Sequence, residues 1–93
     1  MTAPTHESQG HRGIVTELIT FLESRTRASW GEDVDLFATG GLSSMFAMEL
    51  VVHLERTHGV SIRGGDLRLD NFRTVRTMAD LVLRLRTDGA TDG

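Results

Sequence analysis

Three stretches of this 93-residue chain place large apolar residues three and four positions apart. That spacing lays one stripe down a helix, whereas a half-buried strand alternates in and out. The first stretch covers residues 12–27 and carries Ile14, Val15, Leu18, Ile19, Phe21 and Leu22. The second opens at Ser44 and presents Leu50, Val51 and Leu54, with Ala47 or Met48 alongside. It is expected to end near Thr57 or His58, where Gly59 supplies a stop. The third runs from Val75 to Arg86 with Val75, Met78, Leu81, Val82 and Leu85. Between the last two, Leu67, Leu69 and Phe72 allow one short helical turn, and Val60 and Ile62 anchor the loop before it. Amphipathic helices gain most of their stability by burying such stripes against one another. The expected fold is therefore all-α: a small four-helix bundle of three main helices and one short one.

The carrier of that fold is expected to be residues 12–86. Residues 1–11 and 87–93 are too polar to bury and read as disordered tails. A body of this size buries one core but no deep catalytic cleft. The chain contains no Cys, which removes disulfides, thiolate metal sites and a cysteine nucleophile. All ten basic residues are Arg, so there is no Schiff-base or P-loop lysine. The net charge of -3 argues against a sequence-independent nucleic-acid binder. No run is long enough to span a membrane, and residues 1–12 lack the apolar core of a signal peptide, so a cytoplasmic location is expected. His6 and His11 do not stand at a metal-ligand spacing, and no metal site is expected.

The connection from Ala28 to Ser43 is long for a compact domain, and such loops are functional or pinned by their own side chains. Trp30, Val34, Leu36 and Phe37 are the candidate anchors, with Trp30 read as a plug and Asp33 as a possible cap of a short turn. Glu23 with Arg27, and Asp80 with Arg84, stand four apart and are expected to pair along their helices. Thr74 is the expected N-cap of the last helix.

At the end of the long loop, Gly40-Gly-Leu-Ser-Ser44 runs into the second stripe. Ser43 is the natural N-cap, which puts the Ser44 hydroxyl at the first helical position. An anion attached there would meet free N–H groups and the positive end of the helix dipole. Local physics equally allows both serines to be structural caps. Met45, Phe46 and Met48 are more large apolar groups than one helix start can bury, so some are expected to face a partner.

Catalysis by Ser44 itself is not expected. Met45 breaks the G-x-S-x-G elbow, and His53 lies nine residues along the same helix, about 13 Å away at helical rise. His53 and His58 read as lying on the helix surface or near its end, and the carboxylates read as scattered and exposed. A helix-turn-helix would need a short turn and a basic second helix, whereas this helix carries only Arg56 as a fixed cation.

The sequence resembles the acyl carrier protein family. The residues that carry the resemblance are Leu36-Phe37, Gly41, Ser44 followed by Glu49-Leu50-Val51 and Leu54-Glu55, and Thr74-Val75 at the last helix. It extends from about Ile14 to Leu85. Ser43 stands where the family usually has Asp, and Met45 where it has Leu; both bear on which transferase recognises the site. The Glu49 register points to Ser44 as the modified serine, with Ser43 the alternative. A narrower likeness is to stand-alone carriers of glyceryl- and methoxymalonyl-type polyketide units. It rests on Phe37-Ala-Thr-Gly40, Ser44-Met-Phe-Ala-Met48 and Leu69-Asp-Asn-Phe-Arg73.

The resemblance implies that a phosphopantetheinyl transferase moves 4'-phosphopantetheine from coenzyme A onto Ser44. The arm then carries an acyl thioester between loading, modifying and condensing enzymes of polyketide-synthase type. It implies a monomer that is a cosubstrate rather than an enzyme. Docking is expected at Met45, Phe46, Met48, Glu49, Val52 and Glu55. A peptidyl or aminoacyl carrier of nonribosomal peptide synthesis shares the fold and the arm. An unmodified helical interaction module is the alternative of another class.

Overall fold

The computed structural model describes residues 10–38 and 41–92. The order is α1 (His11–Thr26), α2 (Ser44–His58), a 3-10 turn at Gly64–Asp66, a second at Leu69–Phe72, and α3 (Val75–Asp92). No strand occurs among the described residues. The all-α expectation of three main helices and one short one holds, with the Leu69–Phe72 turn as the short one. The Gly64–Asp66 turn is additional. Residues 1–9 of the expected N-terminal tail, and Thr39 and Gly40 of the loop, lie outside the described residues.

Each stripe meets the others at one core. Ile14, Leu18 and Leu22 come from α1, Leu50 and Leu54 from α2, and Val75, Met78, Leu81 and Val82 from α3; all are buried. Leu36, Ile62 and Phe72 close it from the connections. Full burial of one such side chain contributes roughly 1.5–3 kcal/mol, so the stripes dominate the choice of fold.

The helix ends differ in part from expectation. Helix α1 stops at Thr26, and Arg27 takes the left-handed conformation with φ 60° while donating its N–H to the Glu23 carbonyl. Arg27 is thus a C-cap rather than a helical partner for the Glu23 side chain. Helix α2 ends as expected, with Gly59 at φ 68° donating to the Glu55 carbonyl. Thr74 caps α3: its Oγ1 accepts from the Thr77 N–H at 3.0 Å, and Thr77 Oγ1 accepts from the Thr74 N–H at 3.2 Å. Helix α3 continues to Asp92, past the expected end at Arg86. The sequence beyond Arg86 contains no proline, and a single glycine costs a helix only about 1 kcal/mol.

The expected Asp80–Arg84 pair along α3 does not form. Asp80 instead meets His11 of α1 at 2.9 Å, and Arg84 reaches Asp66 of the first 3-10 turn at 3.0 Å. Exposed pairs within a helix are worth only a few tenths of a kcal/mol, so equally good partners across the bundle can displace them.

The long loop is pinned. Trp30 is half-buried against the core and donates its indole N–H to Thr26 Oγ1 at 2.8 Å, the plug its composition suggested. The Leu36 N–H donates to the Arg73 carbonyl at 2.7 Å, and the Arg76 N–H to the Glu32 carbonyl at 3.0 Å. Side chains reinforce these bonds: Arg76 binds both Asp33 and Glu32, and Arg73 binds Asp35. Asp33 therefore serves as an ion-pair partner. It is Asp35 that caps the turn, accepting from the Phe37 and Ala38 N–H groups at 3.0 and 3.1 Å.

Candidate functional site

The pinned loop sets down at Gly41. A β-carbon there would fall 3.4 Å from the Trp30 ring and closer still to the Leu36 carbonyl. The Leu42 N–H returns to that same carbonyl at 2.9 Å. The next residue, Ser43, is extended (φ -80°, ψ 158°), and its Oγ accepts from the Phe46 N–H at 3.3 Å. Ser43 is thereby committed as the N-cap, as its position suggested.

Ser44 is the first residue of α2, exposed, and its hydroxyl makes no hydrogen bond to any described residue. The first turn of α2 contains no acidic residue. The first N–H groups of a helix lack intrahelical acceptors, and the dipole leaves partial positive charge there. An exposed hydroxyl, a positive helix end and a first turn without a carboxylate fit a phosphodiester on this serine.

A base to activate that hydroxyl is missing among the described residues. His53 is turned to the other side of the helix, its Nε2 2.6 Å from Glu17. His58 binds the other oxygen of the same carboxylate at 2.9 Å. His58 closes α2, as its position near the helix end suggested, but neither ring lies on the open surface: the side chains are 14 % and 7 % exposed. Apolar periodicity cannot reveal such a cluster, because the partner carboxylate is 36 and 41 residues away. No group of three or more His, Cys, Asp or Glu suited to a metal occurs among the described residues.

The expected docking residues separate into four sets. Met45, Met48 and Val52 share the outward face of α2 and are 80, 62 and 47 % exposed. Phe46 is half-buried, packed on the core with its ring 6.2 Å from that of Phe21. Glu49 lies on the outward face but is paired with Arg25 of α1 at 2.9 Å. Glu55 turns away: its Oε2 accepts from the Ile62 N–H at 2.8 Å and fixes the loop after α2. A groove of about 490 Å³ runs between the helices, lined by Phe21 and Arg25 of α1 and by Met48, Val52, His53 and Arg56 among others of α2. Residues of α1 were not part of the expected surface, since nothing in the sequence says which face of α1 borders α2.

A three-helix bundle with a long first connection and an exposed serine opening its second helix has the architecture of an acyl-carrier-type domain. Residues 13–82 match the family described as the phosphopantetheine attachment site, and the chain belongs to that family. Comparison with curated proteins and with solved structures returned no match. The domain is the attachment site for covalently bound 4'-phosphopantetheine, and the chain is a phosphopantetheine-carrying carrier protein. Carrier domains of this kind are generally non-catalytic cosubstrates that meet a phosphopantetheinyl transferase and biosynthetic enzymes. No helix among the described residues is long and apolar enough to cross a membrane.

Proposed function

We propose that Ser44 is the residue that takes the 4'-phosphopantetheine. The observation that carries this is the division of labour between the adjacent serines: Ser43 is used as the helix cap, and Ser44 is exposed with no hydrogen-bond partner among the described residues. The transferase supplies the base that is missing among the described residues. When attached, the arm provides a thiol for an acyl thioester, which this Cys-free chain cannot provide itself. Ser44 anchors the phosphodiester at the start of α2, and the loop pinned to Arg73 and Arg76 keeps that start in place.

The cargo we propose is an acyl unit of polyketide type, passed among loading, modifying and condensing enzymes. This reading is supported by the likeness of Ser44-Met-Phe-Ala-Met48 and Leu69-Asp-Asn-Phe-Arg73 to stand-alone carriers of such units. The proposed docking face is Met45, Met48 and Val52, with Phe46 supporting it from beneath and the Arg25–Glu49 pair at its edge.

Intact-protein mass after incubation with coenzyme A, magnesium and a promiscuous transferase tests the site. Wild type gains one phosphopantetheine and Ser44→Ala gains none. A gain in both would move the site to Ser43 or elsewhere. No gain in folded wild type, beside a control carrier that is modified, would leave a helical interaction module with a well-capped second helix.

A further inference from the structure

At the end of α2 remote from Ser44, one carboxylate joins two imidazoles. Glu17 of α1 places Oε2 at 2.6 Å from His53 Nε2 and Oε1 at 2.9 Å from His58 Nε2. An ionised carboxylate only accepts, so each ring presents an Nε2–H. The second nitrogens differ. His58 Nδ1 lies 3.3 Å from Arg86 Nη2 of α3, and a guanidinium only donates. His58 Nδ1 therefore accepts, and the ring is the neutral Nε2–H tautomer. His53 Nδ1 lies 3.4 Å from Thr57 Oγ1, a hydroxyl that can take either role, and the ring stacks on Phe21 with centroids 3.7 Å apart. His53 can thus gain a proton with every contact kept.

We infer that Glu17, His53, His58 and Arg86 form a proton-operated clasp across the three helices, in which a proton and Arg86 compete for His58 Nδ1. At neutral pH the nitrogen holds the Arg86 guanidinium, and α3 is tied to the end of α2. On acidification His58 becomes a cation whose Nδ1–H points at another N–H donor, and the tie to Arg86 is lost.

The charged groups that face the His58 ring are Glu17 of α1 and Arg86 of α3, and the ring stands in the last turn of α2 together with Arg56. Arg25 of α1 and Arg56 of α2 border the groove beside His53. His58 is 7 % exposed, so water screens these charges weakly. Opening is confined to the end of α3, because Val75, Met78, Leu81 and Val82 stay fixed in the core. The clasp is independent of which serine is modified.

The test is nuclear magnetic resonance on the full chain, wild type and Arg86→Gln. Long-range imidazole correlations at about pH 7.5 report the tautomer, and amide shifts followed down to about pH 5 report opening. The expected result is His58 as the Nε2–H tautomer, with amide shifts near residue 86 that follow the His58 titration in wild type and are lost in Arg86→Gln. A neutral His58 protonated on Nδ1 would overturn the inference. So would an equal response near residue 86 in both proteins. The tautomer measurement needs only wild type, so the inference stays testable if the variant fails to fold.

Discussion

A β-carbon on Gly41 would stand 2.7 Å from the carbonyl oxygen of Leu36, nearer than real Cβ atoms approach backbone. That oxygen also accepts the Leu42 N–H, so the chain doubles back over a fully buried Leu36 immediately before Ser43 and Ser44. The glycine is required by close approach of two backbone segments rather than by its own φ. Gly41→Ala must push the loop off Leu36 or strain it, at a cost of about 1–3 kcal/mol. Thermal unfolding should show a midpoint lowered by roughly 4–8 °C for each kcal/mol, and phosphopantetheine uptake should slow in parallel. An unchanged midpoint would mean that the loop relaxes freely.

The adjacent serines should separate stability from modification. Ser43→Ala removes the acceptor of the Phe46 N–H and should cost about 0.5–2 kcal/mol, read as a lower unfolding midpoint. Modification should persist in that variant, although slowed by fraying of the helix start. Ser44→Ala removes an exposed hydroxyl with no described partner and should leave the midpoint within about 0.5 kcal/mol of wild type. The reverse pattern in the two assays would exchange the roles of the serines.

Much of the fold was legible because it follows from period. The stripes at Ile14–Leu22, Leu50–Leu54 and Val75–Val82 each supply buried residues to the core, and Ser43, Gly59 and Thr74 terminate helices where their chemistry places them. Pairings between elements were not legible. Asp80 and Arg84 stand at an ideal helical spacing, yet each finds its partner on another element. Glu55 looked like one more acid on the docking helix until the loop after α2 brought the Ile62 N–H to it. Of the candidate site, the exposed serine was readable from the cap before it. The contribution of α1 to the neighbouring groove depends on how two helices pack, which no single segment encodes.

The acidic loop should make stability fall at low pH. The Arg76 guanidinium bound to Asp33 holds that carboxyl below its usual value, overcoming a smaller opposing effect of burial. For Asp35 burial pushes upward, and the Phe37 and Ala38 N–H groups together with Arg73 outweigh it. A carboxyl depressed in the folded state stabilises the fold above its unfolded value and loses that contribution as pH falls through the folded one. This contribution should therefore be constant from neutrality to about pH 5 and decline below about pH 4, near the unfolded aspartate value. Chemical denaturation at a series of pH values should show that decline, reduced in Asp35→Asn. A variant that tracks wild type throughout would remove Asp35 from the account.

Met45 and Met48 should matter to partners and not to folding. They are 80 and 62 % exposed, so replacing them with Gln gives up little buried area, and the unfolding midpoint should stay within about 0.5 kcal/mol of wild type. Large apolar groups this exposed, within one helical turn of Ser44, are suited to be covered when a partner approaches the serine. Loss of a central interface contact typically costs more than 1 kcal/mol, so the double variant should lower kcat/KM for the partner enzymes by about tenfold or more. Glu49 is already neutralised by Arg25, so the loss should depend only weakly on salt. Phe46→Ala serves as the contrast: its ring packs on the core beside Phe21, and its removal should lower stability and partner turnover together. Unchanged kcat/KM in the methionine double variant, with every partner tested, would move docking away from this face of α2.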